Sequence, residues 1–404
     1  MTRWNKIRFS LHWLPSYIRQ RMARRQRPGF IHLVIGLADH FEPAIVPTDG
    51  RARAPYEAQE RRLERWCQQY PKVVREWLDA DGCPFRHTYF YPAEQYDRGL
   101  IDTLAYHCKA GWGEIEVHLH HGCERPDTPA NTRRQLLEFR DTLVRHGCLA
   151  QLDDQGQPRY AFVHGSFALA NSIGGACCGV DSEMQILAET GCYADLTLPS
   201  APHITQTAKI NSLYECALPL EQRAPHRRGR DLECGRAPQI FPLIIQGPLM
   251  LNFARGRRHG IFPRIENAEL TTVNPPTMER LALWVQAGIA VRGRPDWRFI
   301  KLHCHGMDPR DDEAMLGALM KLFLRDLVEG SADGKYKVHF VTAREMANIV
   351  LAACDGREGN PGDYRNYRLR VISRQAHEAL HRTGATAPQS SFTPQAAQRD
   401  HLGK

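Results

Sequence analysis

The chain has 404 residues, of which 42% are apolar and 24% charged. That is the balance of a globular protein long enough for one large domain with insertions. It excludes a wholly disordered or collagenous chain, and no apolar run approaches the roughly 18–20 residues of a spanning helix. The net charge of +8 resides in residues 1–28, where Arg3, Lys6, Arg8, Arg19, Arg21, Arg24, Arg25 and Arg27 meet no acid. The rest is neutral, so the basic balance predicts no nucleic-acid partner.

The basic arm, residues 1–28, interleaves its charges with Trp4, Phe9, Leu11, Trp13, Tyr17 and Ile18. Two readings follow: an amphipathic segment on an anionic membrane, or an arm packing its aromatics on the body. The arm has no continuous apolar segment with a small-residue cleavage site. The 12 cysteines include no Cys-x-x-Cys pair. A reducing, cytoplasmic setting is therefore expected, with the chain membrane-peripheral under the first reading of the arm.

Beyond the arm, strand and helix patterns alternate. Residues 31–38 form an apolar strand and 56–78 a helix interrupted at Pro71. Strands at 86–91, 114–120 and 160–164 alternate with helices at 98–109, 132–145 and 182–189. Residues 221–236, rich in Arg, Gly and Pro, read as an exposed loop. Further strands fall at 241–246, 297–303 and 337–341, and helices at 276–287 and 313–328. Thr342 with Glu345 forms a capping box that opens one more helix. Residues 383–404, mostly Ala, Pro, Gln, Ser and Thr, have almost nothing to bury and are expected to be disordered.

This alternation predicts an α/β fold with parallel strands and outer helices, a closed or nearly closed (β/α) barrel. Its chemistry belongs at the C-terminal ends of the strands. The reactive residues stand there: Asp39, His40 and Glu42; His118, His120 and His121; His164 and Ser166; His303 and His305. His118 and His120 are two apart, so on a strand both imidazoles face one side. With Asp39 they could hold a Zn²⁺-like ion at about 2.0–2.2 Å and leave a position for water. The plainer alternative is a pair of hydrogen-bonded core histidines. His303 and His305 repeat the spacing, and His303 could donate a proton from the opposite wall. Ser166 and Asn171 suit substrate hydroxyls or a loop backbone. No nucleophile elbow, phosphate loop or dinucleotide fingerprint occurs.

These segments, in their order along residues 30–310, resemble the polysaccharide deacetylase (NodB-homology) superfamily of carbohydrate esterases. LADHFEP resembles the motif with a metal-binding acid and a base, EIEVHLHHG the metal-histidine strand, and HGSFALANS the substrate groove. ETGCYADLTLPS resembles a stretch that makes Asp195 the family aspartate, and FIKLHCHG the strand ending in the general acid. The likeness is nearest to a deacetylase-like group associated with bacterial polysaccharide biosynthesis.

The resemblance implies a distorted barrel of about seven parallel strands across 29–355, with 356–382 as a C-terminal extension. It also implies metal-dependent removal of an N-acyl group from an amino sugar in a saccharide or lipid-linked glycan. Asp39, His118 and His120 would be ligands of a divalent metal, foremost zinc. His303 would be the general acid, with Glu42 or His40 as base. His164, Ser166, Asn171, Asp195 and His305 would bind substrate.

Two departures stand beside this. The family's metal histidines are four apart, whereas His118 plus four is Gly122, so the second ligand is His120 or His121. The family's tandem Asp-Asp is here Asp39-His40. A glycoside hydrolase pairing Asp39 with Glu42, Asp195 or Glu266, and a non-catalytic saccharide-binding protein, are the alternatives.

Overall fold

A computed structural model describes residues 8–23, 29–47, 49, 52–152, 156–253 and 263–372. Trp4, the first seven residues of the arm and the expected disordered tail lie outside the described residues.

The core is a mostly parallel sheet. Its strands are β1 (His32–His40), β2 (His87–Pro92), β3 (Gly113–Leu119), β4 (Ala150–Leu152), β5 (Pro158–His164), β6 (Cys192–Asp195), β7 (Leu213–Cys216), β8 (Gly229–Asp231) and β9 (Leu243–Ile245). Two short strands, β10 (Met250–Asn252) and β11 (Arg264–Glu266), pair separately. Then follow β12 (Trp297–Cys304), β13 (Lys337–Val341) and β14 (Leu369–Val371). The order is β12-β1-β2-β3-β5-β6-β9-β7-β8, parallel from β12 to β9. β13 and β2 share one edge of β1, pairing its N- and C-terminal halves respectively. Among the described residues no ladder joins β9 to β12, so hydrogen bonds do not close the sheet. Instead residues 268–270 lie against β12, with the Leu270 amide donating to the His303 carbonyl (2.8 Å).

Strand alternation divides the side chains between two faces. The outer face carries Leu33, Ile35, Leu37, Tyr89, Ile115 and Val117 into one apolar core. The helices around the sheet are α1 (Leu14–Ala23), α2 (Tyr56–Val74), α3 (Arg98–His107), α4 (Pro129–Arg145), α5 (Glu183–Thr190), α6 (Met278–Ala287), α7 (Asp312–Leu316), α8 (Ala318–Ala332) and α9 (Ala343–Cys354). Those on the outer face are α2 to α8. Leu63, Trp66, Tyr70 and Val73 of α2, spaced by three and four residues, form one such buried stripe. The inner face carries Val34, Ala38 and Val163 into a second core with α1 and α9. All twelve residues of α9 are buried.

The elements depart from expectation where side chains override local signals. Pro71 sits within the last turn of α2 without ending it there, and the helix stops at Val74. The helix expected at 313–328 is broken by an extended Gly317, and the Glu313 carboxylate accepts from the Ala318 amide (3.1 Å). The expected loop at 221–236 contains β8, antiparallel to β7. Its Arg230 pairs with buried Glu215, and its Asp231 with Lys209 and Arg292.

Both ends of the body are tied down. Trp13 and Tyr17 are buried in the inner core, and Gln20 donates to the Ile210 carbonyl (2.7 Å). β14 pairs with β4, while buried Asn348 of α9 donates to the carbonyls of Arg365 (2.7 Å) and Leu369 (2.8 Å).

Candidate metal centre

His118 is the sixth residue of β3, and its register partner on β5 is Val163, an inner-face residue. Its Nδ1–H donates to the Val163 carbonyl (2.9 Å). That orients the ring and turns Nε2 toward Glu42 Oε1, 3.3 Å away, where it donates to the carboxylate and could give up that proton for an ion. His120 is held likewise: Nδ1–H donates to Glu94 Oε1 (2.7 Å), and Nε2 lies 3.7 Å from Glu42 Oε1. Gly165 makes room for this ring, since a Cβ there would overlap the His120 imidazole.

Glu42, His118 and His120 therefore present three ligand atoms within 4.8 Å of one another. Two imidazole nitrogens and a carboxylate are a donor set of divalent transition metals. Glu42 and His120 have side chains 13% and 26% exposed, so the group opens to solvent. Burial opposes the Glu42 charge, but hydrogen bonding and charge from His118, with His120 and His305, hold its carboxyl down to about 2. Burial likewise opposes the charged form of His120, and Glu94 and Glu42 outweigh it, raising its pKa.

Asp39 does not belong to this group. Its register partner is Tyr89, which pairs with Ile115, so all three share the outer face. There Asp39 bonds His87 Nδ1 (3.0 Å), accepts from the Gly306 amide (2.7 Å) and lies beside Cys304. The expected set of Asp39 with His118 and His120 therefore does not converge; the carboxylate that could hold an ion with these two histidines is Glu42. Adjacent strand residues point to opposite faces, and β1 turns His40 inward. Glu42, just past the strand, swings back over the end of β3.

His40 and His305 form a second group with Glu42, again within 4.8 Å. The His40 ring lies 4.9 Å from that of His118, 4.8 Å from His305 and 6.5 Å from His303 between centroids. Burial, with the neighbouring histidines and Lys301, pushes His40 well below the ordinary imidazole value. Burial, Lys301 and His305 do the same to His303. Both rings are neutral at neutral pH.

His121 is no alternative ligand to His120. Its Nδ1 faces Asp127 (3.0 Å) and its Nε2 faces Glu183 (2.9 Å). Burial opposes its charge, but Glu183 and Cys178 raise its pKa to about 11, so it is an imidazolium clamped between carboxylates. His164, fully buried, stands in the same cluster with Cys178 and Glu183, and its Nδ1 accepts from the Ser166 amide (3.2 Å). Burial lowers it to about 3. Asp195 is also fully buried, accepting from Thr197 Oγ1 (2.7 Å), with its pKa raised by burial to about 7. His164 and Asp195 therefore have no surface for the substrate contact expected of them. Asn171 fixes its own loop, bonding Asp181 (2.6 Å) and the Gly175 amide (2.5 Å). Ser166 lies at the loop rim near Cys123.

Three contributors escaped the sequence reading: Glu94, Gly165, and Phe167, whose ring lies 5.9 Å from His40 and 6.3 Å from His203. An acid just past β2 is the one signal that pointed to Glu94. The chain matches no known family model and no curated protein sequence. No described helix is long and apolar enough to cross a membrane.

Proposed function

We propose that this chain is a metal-dependent amidohydrolase of the polysaccharide deacetylase type, removing the N-acyl group of an amino sugar. The observation that carries the reading is the convergence of Glu42 with the Nε2 atoms of His118 and His120, each imidazole tied off at Nδ1. Placement at the C-terminal ends of parallel strands and the ordered family-like segments support it. In this reading the sheet is an open, distorted relative of the (β/α) barrel. The substrate is a saccharide or lipid-linked glycan intermediate, and the ion is zinc.

Glu42, His118 and His120 would hold the ion, which supplies Lewis acidity, acidifying water to a pKa near 7 and polarising an acyl carbonyl. His303, neutral and turned to the same inner face, takes up a proton on a ring nitrogen and returns it to the departing amine. Glu94 orients His120. Phe167 and His203 offer ring faces against which a sugar can pack.

The carboxylate pairs expected for a glycoside hydrolase, Asp39 with Glu42, Asp195 or Glu266, do not come together. Glu266 is bound by Arg280 (2.7 Å), Asp39 lies on the outer face, and Asp195 is sealed by Thr197. The test is metal analysis of the purified chain with acetate release from free, oligomeric and lipid-linked N-acetylated amino sugars. Bound zinc with acetate release supports the reading. A metal-free protein that still binds saccharide overturns it.

A further inference from the structure

We propose that Glu42 bridges two divalent transition-metal ions, one on His118 and His120 and a second on His40 and His305. The inference rests on the metal-centre reading above and deepens it.

The ligand atoms fall into two groups of three, Glu42–His118–His120 and His40–Glu42–His305. Within each, the atoms lie within 4.8 Å of one another, yet the five residues do not merge into one such group. One ion cannot gather them all, and Glu42 is the residue common to both. A carboxylate has two oxygens. Oε1 faces His118 and His120, which leaves Oε2 as donor to the second position. Ions bridged in this way sit about 3.5–4 Å apart.

His40 supplies the independent observation. It is 2% exposed, and among the described residues its imidazole makes no hydrogen bond. Its ring is surrounded by those of His118, His303 and His305. A nitrogen aimed at other imidazoles beside a carboxylate is a ligand position. Negative charge to offset a second ion is at hand, since Glu94 backs His120. Among the described residues Asp39 is turned to the outer face and Glu94 is held by His120, so neither is free to act as base here. A second ion would lower the pKa of the same water and so would stand in for that base.

The full chain, stripped with a chelator, is titrated with Mn²⁺ and followed by metal analysis and electron paramagnetic resonance. Two ions per chain with an exchange-coupled signal are expected. His305→Ala should bind one ion and give an uncoupled six-line signal, with circular dichroism reporting its fold. One ion in the unaltered chain overturns the proposal, as do two uncoupled ions. Acetate release by a one-ion protein would leave the deacetylase reading standing and end this one. Two coupled ions without acetate release would support the pair and remove only the assigned reaction. No bound ion ends both.

Discussion

Glu42 Oε1 lies 3.3 Å from His118 Nε2, while the other nitrogen of that imidazole donates to the Val163 carbonyl. The strand therefore dictates which lone pair meets the carboxylate. Glu42→Gln removes the only anionic donor of the group, and zinc content should fall to below one tenth. Asp39→Asn should keep its zinc, because Asp39 faces the helices. It should instead lose roughly 1–3 kcal/mol of stability, because the Asn amide keeps one acceptor oxygen for the two donors, His87 Nδ1 and the Gly306 amide. Metal analysis and urea denaturation check both. A folded Asp39→Asn protein without zinc would restore Asp39 as the ligand.

Glu94 touches the candidate metal position only through His120. Outer partners of this kind are worth about 10–100-fold in metal affinity. Glu94→Gln is expected to weaken zinc binding by that factor and leave the fold intact. Gly165→Ala should act in the same direction by displacing the His120 ring. Competition titration with a chromophoric chelator measures both. Unchanged affinity in the two variants would detach His120 from the centre.

His303 touches neither Glu42 nor His118 through a hydrogen bond and stands 6.5 Å from His40 between rings. Its expected contribution is proton transfer, about 10²–10⁴-fold in turnover. His303→Ala should keep full metal content and lose acetate release by that factor. Loss of metal and turnover together would make it a ligand.

The parallel strands, most outer helices and the strand-end histidines were legible because period-2 apolar runs and capping signals are local. The ligand carboxylate was not. Asp39 sits on the strand pattern and Glu42 beyond it, so facing was assigned to the residue whose geometry the pattern described. Only the register Asp39–Tyr89–Ile115 reveals the outward turn, and register is a tertiary property. His164 and Asp195 failed for a related reason, since spacing carries no information on the loops that bury them. The short strands β6 to β8 were hidden because Glu215 and Asp231 recruit basic residues into what reads as a loop.

Glu116 lies one turn of the pleat below His118, fully buried, accepting from the Ala161 amide (2.7 Å) and from the Tyr193 hydroxyl. Burial raises its pKa from 4.5 to about 8. The folded state then binds a proton that the unfolded state releases above about pH 4.5. Its contribution to stability is whole below that value and is lost as pH rises toward 8. Unfolding free energy should decline across this window, and Glu116→Gln should flatten the decline. Chemical denaturation at pH 5, 6.5 and 8 tests it. A pH slope unchanged by the substitution would mean that the carboxyl is ionised throughout.

The arm is settled in part by Trp13, which is fully buried in the inner core with Tyr17 packed edge-on at 6.2 Å. Trp13→Ala should destabilise the protein by about 3–5 kcal/mol, the usual range for a buried tryptophan. Neither ring is available to a bilayer. The proposed contact with an anionic membrane then falls to exposed Leu11, Ile18 and Met22 and the basic residues around them. Each Lys or Arg near the surface contributes about 1 kcal/mol, screened by salt. Sedimentation with phosphatidylserine vesicles should capture the full chain at low salt and release it at high salt. The double variant Ile18→Glu, Met22→Glu should stay in solution with its fold intact. If that variant sediments as well as the unaltered chain, membrane contact does not run through α1.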